Sequence, residues 1–115
     1  MKYTRIATNA AGVSFFEEGD VPLAEAGEIG RLSSLLSANG IIFRETGDTY
    51  DYDWHPAPQR QWILLLDGEI EIEVGTGEKR RFRGGDILRL EDVDGRGHRT
   101  RQLSSGPRRS VFIPF

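Results

Sequence analysis

Residues 59–74 read QRQWILLLDGEIEIEV, and this stretch contains two different β patterns in succession. Glu69 to Val74 alternates acidic and β-branched apolar residues, which is the period of two of a strand with one face in water. The preceding run, Trp62 to Leu66, is apolar on both faces, so both of its faces must be covered. Asp67-Gly68 between the two runs favours a two-residue turn, and we therefore predict a β-hairpin.

The rest of the chain continues as short strands separated by turns that contain glycine. Composition predicts further strands at residues 3–7, 13–17, 41–45, 49–54, 79–83, 87–90, 98–103 and 110–115. Only residues 24–36 suit a helix, but Gly27 and Gly30 each cost about 1 kcal/mol there relative to alanine, so we predict a loop with one helical turn. Many short strands with no helical layer predict an all-β jelly-roll barrel, formed by residues 1–115 as a single domain.

Composition excludes several classes of protein. The 115 residues are 37% hydrophobic and 29% charged, which is typical of a folded globular chain. No apolar run approaches the roughly 20 residues that cross a bilayer, and no signal-peptide pattern is present, so we expect a cytoplasmic protein without a membrane partner. A net charge of −3 argues against nucleic acid as a partner. The chain has no cysteine, so a metal would need His, carboxylate or amide ligands.

The two histidines, His55 and His98, are the first candidates for chemistry, and both lie at predicted strand boundaries. If the chain stays extended, His55, Gln59 and Gln61 share the parity of inward-facing residues in the strand that follows. Trp54 adjoins His55, where an aromatic ring could close a pocket. We therefore predict a ligand-binding site formed by Trp54, His55, Gln59, Gln61 and His98.

The spacing of these residues resembles the two motifs of the cupin superfamily, a group of small jelly-roll barrels. The first cupin motif, G-x5-H-x-H-x(3,4)-E-x6-G, is similar to residues 55–68. The second, G-x5-P-x-G-x2-H-x3-N, is similar to residues 93–98 followed by Gln102. The resemblance covers about residues 47–102 and implies a cupin-like barrel.

In typical cupins, two histidines and a glutamate of the first motif hold a metal together with the histidine of the second. The resemblance places His55 and His98 at the first and last of these positions, but Ala57 and Gln61 replace the second histidine and the glutamate. Alanine cannot ligate, and an amide lacks the charge of a carboxylate. The resemblance thus implies, at most, a weakly held divalent metal such as Fe, Mn, Ni or Zn on His55, Gln61 and His98.

Three interpretations of this site stay open. The leading one is a non-catalytic or weakly metal-dependent cupin that binds a small organic molecule, with its histidines hydrogen-bonded to Gln59 or Gln61. The second is a metal-dependent oxygenase or isomerase that uses the three candidate ligands. The third is acid–base chemistry without a metal, as in sugar epimerases of similar fold. It needs a carboxylate partner for a histidine, and Asp53, Asp92 and Asp94 are near in sequence.

The apolar run from Trp62 to Leu66 also bears on assembly. Its second face is covered either by the amino-terminal strands or by a second subunit. Because symmetric dimers are the commonest oligomers, we expect a homodimer. The only evidence for a purely structural or interaction role of the protein would be this strand, which is apolar on both faces.

Overall fold

In the computed structural model, which describes residues 1–115, the chain forms twelve β-strands and one 3₁₀ turn. The strands are β1 Lys2–Thr8, β2 Ser14–Asp20, β3 Ala24–Glu25, β4 Arg31–Leu32, β5 Ile42–Thr46, β6 Asp51–His55, β7 Gln61–Leu65, β8 Glu69–Glu73, β9 Lys79–Arg83, β10 Ile87–Leu90, β11 His98–Gln102 and β12 Arg108–Pro114. The 3₁₀ turn, Gly27–Ile29, lies in the segment predicted as a loop with one helical turn. The all-β prediction is confirmed, and no helix has the length and apolarity needed to cross a membrane.

Strands β5 to β12 are arranged as a jelly roll. The chain folds back on itself between β8 and β9, so that β8 pairs with β9, β7 with β10, β6 with β11 and β5 with β12, all antiparallel. This nested hairpin is rolled into two sheets, ordered β10-β7-β12-β5 and β6-β11-β8-β9. Eight strands nested over two sheets in this way form a jelly roll. The hairpin β1–β2 extends the first sheet to six strands, with β1 parallel to β10.

The hairpin predicted across Asp67-Gly68 is wrong. Strands β7 and β8 lie in different sheets, and the chain crosses between the sheets at this dipeptide. Gly68 has a φ of 75°, but Asp67 does not have the positive φ that a type I′ hairpin turn requires. The crossing is favoured by burial, because it allows Ile70 of β8 and Ile63 of β7 to join one core cluster from opposite sheets.

The second face of β7 is covered in part by the chain itself. Tyr3 of β1 packs edge-on against Trp62 with ring centroids 4.9 Å apart, and the Phe115 ring lies 6.1 Å from Trp62. An apolar groove of about 400 Å³ stays open beside Trp62 and is bordered by Leu36 and Ile41. Coverage by the amino-terminal strand, the first alternative considered from the sequence, therefore accounts for only part of this face.

Ser14, the first residue of β2, ties the amino-terminal hairpin to two turns of the jelly roll. It is 1% exposed, and its hydroxyl donates to the Gly97 carbonyl and accepts from the Gly75 amide, each at 2.7 Å. Gly97 directly precedes His98. The hairpin thereby fixes the segment that carries one of the two candidate histidines.

Replacing Ser14 by alanine is expected to lower the free energy of unfolding by about 1–3 kcal/mol, because it leaves the carbonyl of the buried Gly97 and the Gly75 amide without a partner. Ser110→Ala is the matched control, since Ser110 is also 1% exposed but its hydroxyl has no hydrogen-bond partner. We expect this control to be neutral or slightly stabilising. Urea unfolding measures both variants. Equal losses in the two variants would contradict the role assigned to Ser14.

Candidate functional site

A cavity of about 400 Å³ lies between the two sheets of the jelly roll. Of its 20 lining residues, 11 are hydrophobic. The polar and charged lining residues are Arg44, His55, Gln59, Gln61, His98, Thr100 and Arg108. Small-molecule sites commonly have volumes of roughly 300–1,000 Å³ and mostly apolar walls with a few polar groups, so this cavity is the candidate site.

Four of the five predicted ligand residues line this cavity. They are His55, Gln59, Gln61 and His98. Gln61 and His98 are each 3% exposed, whereas Gln59 is exposed to solvent at the open side. Trp54 does not line the cavity; its ring lies beneath the Arg96 guanidinium, whose central carbon is 4.1 Å from the ring centroid. Successive side chains of a strand point to opposite faces, which separates Trp54 from its neighbour His55.

His55 and His98 meet across the pair of strands β6 and β11. His55 ends β6, His98 begins β11, and the two are register partners with ring centroids 4.7 Å apart. The backbones approach closely at this point. Gly97 has a φ of 77°, and a Cβ atom on it would lie 1.9 Å from the His55 carbonyl oxygen. Glycine at position 97 is therefore required for the two histidines to be neighbours.

Each histidine is oriented by a hydrogen bond at its Nδ1 atom. His98 donates to Asp92 Oδ2 at 2.5 Å, and the two residues are 3% and 0% exposed. His55 donates to the Asp53 carbonyl oxygen at 2.8 Å, and since a carbonyl can only accept, Nδ1 carries the proton. The Nε2 atom of each ring is then the nitrogen available to a ligand.

Asp92 is the carboxylate partner that acid–base chemistry would need. Its backbone carbonyl also accepts a hydrogen bond from the Ala57 amide at 3.0 Å, so this residue connects both cupin-like motifs. Asp53 contributes only its backbone carbonyl to His55. The Nδ1 atoms of the histidines are thus held by aspartate residues. From the sequence we had expected Gln59 or Gln61 as their hydrogen-bond partners, and neither bonds to these atoms.

Burial lowers the pKa of His55 below its ordinary value of about 6.5, and the nearby His98 and Arg44 act in the same direction, while the bond to Asp53 opposes them. Below pH of about 6.5 the unfolded chain therefore binds more protons at this residue than the folded chain does. By linkage, the stability contributed by neutral His55 is present above that pH and is lost as the pH falls through its lowered pKa.

We therefore expect the free energy of unfolding to fall as the pH is lowered from about 7 to about 5, and to fall less steeply in the His55→Gln variant. Urea unfolding at a series of pH values measures both slopes. The same pH dependence in the variant as in the wild type would show that His55 is not the group responsible.

Arg44 and Arg108 also line the cavity, although no sequence motif singles them out. Arg44 lies on β5 and Arg108 on β12, and these strands are antiparallel neighbours. The only local signal was parity, since Arg44 alternates with the outward Phe43 in a strand. Arg108 faces the cavity because β12 pairs with β5, and this long-range pairing is not encoded in any short stretch of the sequence.

The cavity does not fit a tightly held divalent metal. Its imidazole and amide donors are His55, His98, Gln59 and Gln61, and no aspartate or glutamate is among the lining residues. No group of three or more His, Cys, Asp or Glu side chains is placed to hold a metal ion in the chain. Arg44 and Arg108 add positive charge to the same space, which disfavours a cation. The donor set therefore lacks the second histidine and the glutamate of a typical cupin metal site, which Ala57 and Gln61 replace.

Tag-free protein is accordingly expected to contain transition metal well below one ion per chain after dialysis, and chelator is expected to leave its thermal unfolding unchanged. Elemental mass spectrometry measures the metal content. The double variant His55→Ala/His98→Ala is the control for adventitious surface binding. Stoichiometric metal in the wild type that is lost in the double variant would overturn this expectation and favour the metal-dependent enzyme.

No protein-family model and no curated protein sequence matches this chain. Among solved structures, it is similar to protein NMB1881 from Neisseria meningitidis, with a TM-score of 0.51 and 20% identity over 71% of this chain and 80% of that chain. A candidate ethanolamine utilization protein Q from Salmonella typhimurium gives a TM-score of 0.47 and 15% identity over 100% of this chain and 95% of that chain. A candidate mannose-6-phosphate isomerase from Ralstonia eutropha gives a TM-score of 0.41 and 16% identity over 99% of this chain and 83% of that chain. At these identities the likeness concerns the fold alone.

Proposed function

We propose that this protein is a small cupin that binds a small organic molecule in the cavity between its two sheets. The observation that carries the proposal is the cavity itself, with its mostly apolar lining and a few polar side chains that converge on it. Burial of apolar ligand surface, at about 25 cal/mol per Å², would supply the affinity, and the polar groups would set the orientation of the ligand.

His55, Gln61 and His98 are the polar anchors in this proposal. Both imidazoles have one nitrogen already bonded to the protein, so each offers Nε2 to the ligand in a fixed orientation. Gln61 is buried among apolar lining residues, and its amide can both donate and accept. Because Nδ1 carries the proton in both rings, each Nε2 accepts, so a ligand with O–H or N–H donors near this end of the cavity would satisfy the histidines. Gln61 can in addition donate to a ligand carbonyl.

Ligand-induced stabilisation tests the proposal. A panel of small aromatic and aliphatic compounds is added to the wild type and to Gln61→Leu, which keeps the side-chain volume but removes the amide. A compound present at about 100 times its Kd would stabilise the fold by about 2.7 kcal/mol. We expect polar members of the panel to raise the unfolding temperature of the wild type and to do so less in the variant. An equal response in both proteins would exclude Gln61 as an anchor.

A second candidate function, proton transfer on the bound molecule, is favoured by the bond between His98 and Asp92. In a pair of this kind the carboxylate holds the imidazole in one tautomer and stabilises the imidazolium that forms when Nε2 accepts a proton. Here the carboxylate is fully buried behind a ring that lines the cavity. The chemistry would be removal and return of a carbon-bound proton, as isomerases and epimerases perform.

Exchange of ligand hydrogen in D₂O, followed by NMR, tests this second function. Compounds that bind the wild type are incubated with the protein, and we expect acidic C–H positions to exchange faster than without protein. The His98→Gln variant should lose this acceleration while it still binds the compound. Exchange that is unchanged in His98→Gln would contradict a role of His98 in proton transfer, and no exchange in any bound compound would favour a binding protein.

We also propose that the protein is a cytoplasmic homodimer in which a second copy covers the outer face of the six-stranded sheet. Support comes from β5, which ends this sheet with an unpaired edge and exposes Phe43 at 79%, and from the apolar groove beside Trp62. Ile41 is 61% exposed at the border of the groove.

Light scattering should give the mass of a dimer for the wild type and of a monomer for Ile41→Glu. A monomeric wild type would refute the dimer.

A further inference from the structure

The two cavity arginines differ from most other arginines of the chain in lacking a carboxylate partner. Eleven ion pairs within 4.0 Å are formed in the structure besides the contact of His98 with Asp92, and neither Arg44 nor Arg108 takes part in any of them. Arg108 is only 5% exposed, and the one hydrogen bond of its side chain runs from Nε to the neutral Gln102 Oε1 at 3.1 Å. A buried cation without an anionic partner is unfavourable in a folded protein.

The strand register brings the two guanidinium groups to the same part of the cavity. Arg44 is the register partner of Ser110, and Arg108 is the partner of Thr46, so the arginines are diagonal neighbours on the inward face of β5 and β12. Both stack on Tyr50, with distances from guanidinium carbon to ring centroid of 5.5 Å for Arg44 and 5.2 Å for Arg108. The aromatic ring thus holds the two cations in position side by side.

The positive charge of this pair is incompletely balanced. Burial lowers the pKa of Arg108 and repulsion from Arg44 lowers it further, while attraction from Tyr50 and Asp67 opposes both effects without outweighing them. A guanidinium nevertheless stays charged in proteins, so the repulsion is not relieved by loss of a proton. Because no aspartate or glutamate lines the cavity and neither arginine forms an ion pair, no carboxylate within 4.0 Å neutralises the two charges.

We propose that the molecule bound in this cavity is an organic anion whose carboxylate or phosphate group is held by Arg44 and Arg108. The inference rests on the proposed binding function and adds the chemical class of the ligand. Arginine donors match both kinds of oxyanion in geometry and form strong charge-assisted hydrogen bonds with them. The rest of the ligand is apolar or aromatic, since Phe112 and the isoleucines of the core form the adjoining walls.

Calorimetric titration with matched probes tests this proposal. Benzoate and phenyl phosphate carry the two kinds of oxyanion, and benzamide is the neutral counterpart of benzoate. We expect benzoate, phenyl phosphate or both to bind the wild type about tenfold or more tightly than benzamide, because a hydrogen bond to a charged group is the stronger one. The stronger of the two anions identifies the oxyanion that the site prefers.

Three variants test whether the preference for an anion comes from the two cavity arginines. Arg44→Met and Arg108→Met should each abolish the preference for the anion, whereas Arg99→Met should retain it, because Arg99 is exposed on the outer face of β11 and lies outside the cavity. Circular dichroism establishes that each variant is folded. If Arg108→Met proves unfolded, Arg44→Met decides the outcome, since Arg44 is only half-buried.

The outcomes separate this proposal from the function on which it rests. Equal affinity of the wild type for benzoate, phenyl phosphate and benzamide would overturn the proposal that the ligand is an anion, but it would still support small-molecule binding in the cavity. An equal loss of anion binding in Arg99→Met would also overturn it, because the effect would then come from net charge. If no probe binds the wild type at millimolar concentration, the anion proposal and the binding function both fail.

Discussion

Replacement of Gly97 by alanine is expected to lower the free energy of unfolding by about 2–5 kcal/mol and to disrupt the candidate site. The left-handed conformation costs a non-glycine residue about 1–2 kcal/mol, and the overlap adds a cost typical of overpacking, about 1–3 kcal/mol. The added methyl would lie 1.9 Å from the His55 carbonyl oxygen and 2.4 Å from the Pro56 nitrogen. These are backbone atoms, so no side chain can rotate to relieve the overlap.

Gly77→Ala is the matched control for this variant. Gly77 also has a positive φ, 91°, but nothing lies within 4 Å of the position of its Cβ. The control should therefore show only the conformational cost. Urea unfolding measures the stability of both variants, and binding of benzoate reports on the site. Losses of equal size in Gly97→Ala and Gly77→Ala would contradict the close packing of the two histidine segments.

The second large effect is expected from Asp92→Ala, which should lower the free energy of unfolding by about 3–5 kcal/mol. Asp92 is 0% exposed, and its carboxylate accepts the Nδ1 proton of the buried His98. Alanine at this position leaves that donor without a partner in a place that water does not reach. Asp92→Asn keeps an acceptor oxygen and should lose less stability than Asp92→Ala.

A double-mutant cycle tests whether the two residues act as a pair. His98→Ala alone leaves the carboxylate of Asp92 unpaired, so it should also be destabilising, whereas the double variant removes both polar groups. We expect the loss in the double variant to be smaller than the sum of the two single losses, by about 0.5–3 kcal/mol. Additive losses in thermal or urea unfolding would show that the bond between His98 and Asp92 contributes nothing specific.

The parts of the fold that could be predicted from sequence are those in which local pattern and burial agree. The alternation in β8 correctly placed Ile70 and Ile72 inside, at 3% and 2% exposure. The shared parity of His55 and Gln61 correctly placed both at the cavity. In each case the period of two of an extended chain directly sets which side chains face the core.

The features that could not be predicted depend on which strand meets which. The turn at Asp67-Gly68 has the composition of a hairpin, but turn composition does not reveal whether the chain stays in one sheet or crosses to the other. Asp92 and His98 are separated by an irregular loop, so no periodicity connects them. Arg108 joins Arg44 only through the pairing of β12 with β5, between residues more than 60 positions apart. Long-range pairings of this kind determine the charge of the site.

NMR of isoleucine methyl groups during a titration with benzoate tests whether the cavity between the sheets is a small-molecule site. Ile63, Ile70 and Ile72 line this cavity, while Ile41, Ile87 and Ile113 line the apolar groove on the outer face. We expect saturable shifts of the three methyl signals from the cavity and unchanged signals for the three from the groove. Shifts confined to the outer three, or no saturable shift at all, would contradict it.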